Sequence, residues 1–278
     1  MALTSDKAKY RRHFDHAAVG WKKWLPVLEP AYTPVSEALL DLAAVREGSG
    51  QWVLDLACGL GDTSFAAARR VGPAGRVVGI DIAPRMITLA EERAREDGVT
   101  TVGFRELDAE TLASWPEGAY EAAVSRFGIS FFPDVDVAAR GVHRVLTPGS
   151  RFAAANWGEP DRVPFMMLAR RTMTRLLGDG FVPPTSGPGP FGLATPGRLE
   201  QALSSAGFRR IQGEQMTLVI EIPSPAAYAQ LLRDVTSLAA LVEEQTIMPA
   251  DDVWAAVARD AEGQLPFVCE VRLVAGTK

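Results

Sequence analysis

Apolar residues in the middle of this chain fall into short runs separated by amphipathic stretches, a pattern that predicts alternating strands and helices. Strands are expected over Trp52–Ala57, Arg76–Asp81, Thr101–Arg105, Tyr120–Ser125 and Arg151–Asn156. Helices are expected over Ser64–Val71, Pro84–Asp97 and Val135–Leu146, the second stopped by Gly98 and the third by Pro148-Gly149. Strands joined through helix-length segments imply right-handed crossovers and a parallel sheet covered on both faces. The expected fold class is α/β.

Regularity fades on either side of this region. The first ~48 residues read as helices: Tyr10–Trp24 is amphipathic and aromatic, and Pro34–Val45 carries Val35, Leu39, Leu40, Leu42 and Ala43. Pro26, Pro30 and Pro34 punctuate the stretch between them, and Gly48-Ser49-Gly50 breaks the chain before the first strand. Residues 157–178 read as a turn and a helix. The following GDGFVPPTSGPGPFG, residues 178–192, is too rich in Pro and Gly for a regular element and is expected to be a surface loop or a substrate gate. Helices over Pro196–Ala206, Pro225–Glu243 and Ala250–Glu262, a sixth strand within Arg209–Ile222 and a last strand over Phe267–Ala275 complete the pattern.

Composition narrows the class. At 47% hydrophobic and 23% charged residues the 278-residue chain can bury a full core. A formal net charge of −5 argues against a nucleic-acid or anionic-membrane partner. The two cysteines, Cys58 and Cys269, lie far apart without metal-ligand spacing, which favours a reducing compartment and no bound metal. Met1–Tyr10 is polar and charged, unlike a signal peptide, and no apolar stretch reaches the ~18 residues of a membrane span. A cytoplasmic protein without stable membrane insertion is expected.

The segment V53-L54-D55-L56-A57-C58-G59-L60-G61-D62-T63 carries the chemistry. It sets a Gly-rich turn between a strand and a helix, where backbone N–H groups and a helix N-terminus meet a ligand. Gly59 and Gly61 permit close backbone approach, although a GxG turn alone is common. Asp81 ends the second strand 20 residues after Gly61, the spacing of an acid that binds both ribose hydroxyls of an adenosine. That suits a nicotinamide dinucleotide equally well. Asp55, four residues before Gly59, does not: a carboxylate beside a pyrophosphate is repelled, and beside an ammonium or sulfonium it is attracted. Ser64 also stands where the dinucleotide fingerprint has its third glycine. These residues favour S-adenosylmethionine (SAM) over NAD. Asp108, in F104-R105-E106-L107-D108-A109-E110, can accept a hydrogen bond from the adenine amino group or serve as a plain cap, and Met86 can wall the adenine or pack its helix.

VLDLACGLGDTS, VVGIDIAPRMITLA, FRELDAETL, SRFGISFFPD and HRVLTPGSRFAAANW together resemble class I SAM-dependent methyltransferases, in particular the UbiE-like small-molecule enzymes. The likeness is strong over roughly residues 50–157 and weaker at AGF 206–208 and the terminal strand. It implies a Rossmann-like, seven-stranded, mostly parallel sheet of order 3-2-1-4-5-7-6 with its last strand antiparallel. It also implies cofactor contacts at Asp55, Ala57, Gly59, Gly61, Asp81, Ile82, Met86, Asp108, Ala109 and Ser125, with S-adenosylhomocysteine (SAH) as the product. Residues 1–48 become an N-terminal helical cap, and residues 49–278 become the SAM-binding domain. Lid segments are expected at about 157–195 and 225–262, as helices replace the usual near-hairpin before the last strand. The 225–262 insertion is expected to be a lid or an oligomer contact, a homodimer being the simplest.

Methyl transfer from a sulfonium asks mainly for alignment and exclusion of water, with a base needed only if the acceptor atom carries a proton. The resemblance implies that the N-terminal segment carrying His13 and His16 folds over the active site; His16 is the candidate base, with a surface histidine as the plain alternative. Arg126 can bind an acidic acceptor or pair with a nearby carboxylate. Trp21, Phe127 and Trp157 are candidates for the acceptor wall, because strand carboxyl ends form the ligand edge of an open α/β sheet. Ser125-Arg126-Phe127-Gly128 replaces the Asn/Asp-Pro-Pro-Tyr/Phe motif of base-methylating enzymes. A small, partly apolar or aromatic acceptor methylated at oxygen, carbon or nitrogen is expected, against two alternatives: a SAM-binding protein without catalysis and a nicotinamide oxidoreductase.

Overall fold

Val53 and Leu54, neighbours in β1 (Trp52–Leu56), are fully buried in two different hydrophobic clusters. Val124 and Ala123 in β4 (Tyr120–Arg126), Ala153 and Phe152 in β5 (Leu146–Trp157), and Leu273 and Val274 in β7 (Phe267–Thr277) divide the same way. Successive strand side chains point to opposite faces, so both faces of the sheet are covered, as continuous apolar runs demand. The computed structural model describes residues 5–182 and 185–278; Met1–Thr4 of the expected cap and Pro183 and Pro184 of the irregular stretch lie outside the described residues.

The sheet has seven strands in the order β3-β2-β1-β4-β5-β7-β6, with β2 at Arg76–Asp81, β3 at Val102–Glu106 and β6 at Arg209–Ile220. β1 to β5 are parallel, and β7 runs antiparallel to both β5 and β6. The helices α2 (Asp62–Val71), α3 (Pro84–Glu96) and α4 (Val135–Val145) make the crossovers. This is the expected topology, and it brings the carboxyl ends of β1 to β5 to one edge.

The N-terminal segment departs from expectation. A single helix, α1 (Ser5–Leu42), runs through Pro26, Pro30 and Pro34 without a break. Proline removes one helical hydrogen bond and ordinarily kinks or ends a helix. Here the three prolines are four residues apart and share one exposed stripe. Leu28, Tyr32, Val35, Leu39 and Leu40 on the opposite stripe are buried in the core, and that packing holds the helix together.

Beyond β5 come α5 (Pro164–Leu177) and α6 (Arg198–Ser205), with turns and bends over the described part of 178–192. The expected helix over Pro225–Glu243 is two, α7 (Pro225–Val235) and α8 (Leu238–Glu244), interrupted at Thr236-Ser237, and α9 (Ala250–Asp260) follows. Tyr228 of α7 is fully buried and donates its hydroxyl hydrogen to the Phe165 carbonyl at 2.6 Å. The apolar faces of α7 and α9, including Val253 and Trp254, join the same core cluster as α1 and β7. No described helix is long and apolar enough to cross a membrane.

Candidate active site

The carboxyl ends of the parallel strands open onto a cavity of about 330 Å³, with α1 crossing one side and the α7–α8 break closing another. The strand-to-helix turn forms its polar floor. Ala57, Gly59 and Gly61 all take the left-handed conformation, with φ of 52°, 54° and 86°. The two glycines serve different ends. A Cβ on Gly59 would meet nothing within 4 Å, so its missing side chain leaves open space on the ligand side. A Cβ on Gly61 would lie 2.6 Å from Phe104 Cζ, so that glycine lets α2 close onto β3. Gly59 lines the cavity and Gly61 stands behind it.

Three carboxylates line this floor: Asp55, Asp62 and Asp81. Asp55 is only 1% exposed, and its Oδ2 accepts the Ser64 hydroxyl at 2.6 Å. Burial pushes its pKa up to about 7, against which the Ser64 hydrogen bond and Arg126 act. Asp81 uses Oδ2 to accept the Gly59 N–H and Oδ1 to accept the Ala83 N–H, both at 2.9 Å. Burial raises its pKa in spite of these bonds. Asp62 is held differently. Burial opposes its charge, yet Arg126 and Arg93, at 2.7 and 2.6 Å, outweigh that and hold its carboxyl below the usual range.

Arg126 takes the second of its two expected roles. Besides Asp62 it donates to Ser36 Oγ at 2.9 Å and lies over the Tyr32 ring at 5.2 Å. It ties α1 to the ends of β4 and α2 while still lining the cavity. Ser125 does not line it: the side chain is fully buried, and its hydroxyl donates to the Leu56 carbonyl at 3.0 Å, fastening β4 to β1. Ile82, Met86, Asp108 and Ala109 all reach the cavity. Asp108 is already occupied, since its Oδ2 accepts from Lys7 Nζ at 2.7 Å and its Oδ1 accepts the Glu110 N–H at 3.0 Å.

The opposite walls are aromatic. Phe127 and Trp157 stack with centroids 4.4 Å apart and planes 9° from parallel, and Tyr32 meets both edge-on. Tyr10 and Phe14 of α1 meet Phe131 edge-on at 5.5 and 5.0 Å, and the Tyr10 hydroxyl donates to the Pro188 carbonyl. Trp21 also faces the cavity. His16 does not: it is exposed and stands off the stripe that Tyr10, His13, Phe14 and Trp21 turn inward. Helical geometry explains the difference: His16 is six residues from Tyr10, two from Phe14 and five from Trp21, spacings that turn it away from the face those three share.

Sequence reasoning missed several members of this site. Asp62, at the start of α2, reads as a residue suited to the helix dipole; its arginine partners are 31 and 64 residues away and invisible locally. Lys7 and Tyr32 become cavity residues only because α1 is continuous and crosses the sheet edge. Leu231, Val235 and Leu238 enter through the break between α7 and α8.

Fold and site together define a Rossmann-like α/β domain with an acid-lined ligand turn facing an aromatic chamber. A family model described as a methyltransferase domain matches residues 47–177. Nocamycin O-methyltransferase of Saccharothrix syringae is 32% identical over 207 residues, covering 70% of this chain and 72% of that enzyme. The ubiquinone/menaquinone biosynthesis C-methyltransferase UbiE of Pasteurella multocida is 35% identical over 122 residues, 44% of this chain and 44% of that enzyme. Among solved structures, Haemonchus contortus phosphoethanolamine N-methyltransferase 2, in complex with phosphomonomethylethanolamine and S-adenosylhomocysteine, superposes with a TM-score of 0.59 at 15% identity. That alignment covers 99% of this chain and 60% of the nematode enzyme, and it shows a shared fold. The chain belongs to the SAM-dependent methyltransferase family.

Proposed function

We propose that this protein binds SAM at the Asp55–Asp62 turn and transfers its methyl group to a small, aromatic or partly apolar acceptor, at oxygen or carbon. The observation that carries the reading is a buried carboxylate, Asp55, on the cavity wall beside the open space over Gly59, with only the Ser64 hydroxyl bonded to it among the described residues. A cation fits there and a phosphate does not. Bound SAM would supply an electrophilic methyl on a positively charged sulfur.

The chain's own residues supply the rest. Asp55 and the turn hold the methionine part, Asp81 the ribose hydroxyls, and Ile82, Met86, Asp108 and Ala109 the adenine. Asp81 keeps lone pairs for the ribose after its two backbone bonds. Trp21, Phe127 and Trp157 orient the acceptor's apolar body and keep water from the methyl, with Arg126 held on the cavity wall by its pairing with Asp62. In this reading α1 is the cap, and segments 157–195 and 225–262 close the chamber. The acidic composition and two free thiols support a cytoplasmic protein acting on a metabolite rather than on nucleic acid. The oxygen-methylating and carbon-methylating relatives support those two acceptor atoms.

Titration calorimetry with SAM, SAH and NAD tests the cofactor, with micromolar binding expected for the first two. Heat from NAD alone would overturn the reading in favour of an oxidoreductase. Transfer of labelled methyl from SAM to a panel of phenols, quinols and carboxylates tests catalysis. Label that never leaves the cofactor across the panel would indicate a SAM-binding protein without transferase activity.

A further inference from the structure

Of the three histidines in the chain, His13 alone lines the cavity. His143 packs edge-on against Phe208 at 5.0 Å, on the other side of the sheet, and His16 faces outward. His13 stands between Tyr10 and Phe14 on the inward stripe of α1, its ring 4.9 Å from that of Phe14. It forms no hydrogen bond or ion pair among the described residues. Several other ionisable side chains of the chamber are already engaged: Lys7 with Asp108 and Glu110, Arg126 with Asp62, Asp55 with Ser64, and the Tyr10 hydroxyl with Pro188.

We propose that His13 is a catalytic residue of an O-methylation, its unprotonated ring nitrogen taking the proton of the acceptor's hydroxyl as the oxygen takes the methyl. The acceptor is thereby a weakly acidic hydroxyl, phenolic or enolic, on an apolar body. The inference rests on the function proposed above. In the step an O–C bond forms, the S–C bond breaks with its electron pair left on sulfur, and the O–H proton passes to the imidazole. One positive charge thus moves from sulfur to the ring, and the charge inside the cavity is unchanged.

Burial pushes the His13 pKa down to about 4, with His16 and Lys9 of the same helix adding to it, which keeps the ring unprotonated near neutral pH. Lys7 and Lys9 of the same helix, Arg126 of β4 and Arg170 of α5 also line the cavity, together with the carboxylates Asp55, Asp62, Asp81, Asp108 and Glu110. Of these, Asp108 and Glu110 pair with Lys7, and Asp62 pairs with Arg126. The imidazole is therefore neutral and able to accept when the acceptor enters. A cationic sulfonium opposes its protonation further, and that opposition vanishes as the methyl departs. The same low pKa favours release of the proton to water once product leaves.

The test uses the full chain with labelled SAM and phenols of graded acidity. His13→Asn is expected to bind SAH within about threefold of wild type and to lose about 10²–10³-fold in kcat on alkylphenols, the range of general-base catalysis. On nitrophenols already ionised at pH 8 the loss is expected to be under about tenfold. His16→Asn is expected to match wild type throughout. In the SAH complex, calorimetry is expected to show 4-methylphenol binding about 3–10-fold more weakly to His13→Asn, the scale of one neutral hydrogen bond, with 2,4-dinitrophenolate unaffected. His13→Gln repeats the comparison should the asparagine variant not fold. An equal loss on every phenol, or none, would overturn the assignment. So would a wild type that binds SAH but methylates carbon alone, which leaves the wider reading intact. A wild type that binds no SAH overturns both.

Discussion

Lys7 Nζ lies 2.7 Å from Asp108 Oδ2 and 2.7 Å from Glu110 Oε2, so the first turn of α1 is pinned at the end of β3. Burial works against the ammonium, yet the two carboxylates hold its pKa above the usual lysine value. One helical turn on, Arg11 reaches Glu106 at 2.6 Å and donates from Nε to the Ile82 carbonyl at 3.2 Å. The clasp therefore spans the residues proposed to hold adenine.

Lys7→Ala is expected to loosen this clasp and raise the SAH dissociation rate several-fold. The lysine also competes with the adenine amino group for Asp108, so association should quicken too, leaving equilibrium affinity within about tenfold. Stopped-flow tryptophan fluorescence at rising ionic strength separates the effects. Wild-type rates should climb with salt as the exposed Arg11–Glu106 pair and the Lys7 pairs are screened, and the variant's rates should climb less. Salt-independent rates in both would show that the N-terminal helix does not gate the cofactor.

The two glycines of the turn should fail in different ways. Gly61→Ala places a Cβ 2.6 Å from Phe104 Cζ at a φ of 86°, combining backbone strain with a clash between α2 and β3. A loss of roughly 2–4 kcal/mol in unfolding free energy is expected. Gly59→Ala carries strain at φ 54° but meets no atom within 4 Å, so about 1 kcal/mol is expected. Its methyl instead enters the ligand's space and should weaken SAM binding by tenfold or more. Chemical denaturation beside calorimetry decides; equal stability losses would show that the open space over Gly59 is not a ligand cradle.

Asp55 makes a pH prediction whose sign follows from its raised pKa. In the ligand-free fold it titrates near 7, against 3.8 for an unhindered aspartate. The folded state thus binds a proton more tightly than the unfolded state, and this contribution to stability is full below about pH 4 and lost as pH rises through 7. Asp55→Asn keeps an acceptor for Ser64 and carries no charge. At pH 8 the ligand-free variant should be more stable than wild type by roughly 1–3 kcal/mol, about 2–8 °C in Tm. Cofactor affinity should move the opposite way: it rises with pH through about 7 in wild type, and it is weak and flat in the variant. Thermal melts from pH 5 to 8 with and without SAH check both; parallel curves would mean Asp55 is ionised without a ligand.

How much of this was legible in the chain depended on the range of the interactions involved. The sheet edge was readable because apolar runs and glycine turns act locally: β2 and the proline-initiated start of α3 lie where the pattern puts them. Asp55, Asp81 and Gly59 were readable for the same reason. The prolines of α1 misled because their effect depends on which stripe faces water, a tertiary fact. That His16 faces outward was not readable, because a histidine's direction on a helix is set by the whole stripe, not by the residue. The Asp62–Arg93–Arg126 cluster joins α2, α3 and β4, and no local pattern announces such a meeting.

Phe127 separates a structural from a substrate-binding reading of the aromatic wall. Its ring stacks on Trp157 at 4.4 Å, yet the residue is half-buried and its backbone is left-handed with φ 65°. A bulky residue in that conformation carries strain that surrounding structure must hold in place. Trp157 is only 3% exposed, and both rings of the stack line the chamber. Phe127→Leu keeps most of the apolar volume and removes the flat face, which is worth about 0.5–1.5 kcal/mol toward an aromatic ring. The KM for a phenolic acceptor is expected to rise about 2–10-fold, with SAH affinity and kcat within about twofold of wild type. A purely structural residue would instead lower Tm and leave the acceptor's KM unchanged, so steady-state kinetics beside a thermal melt distinguish the two.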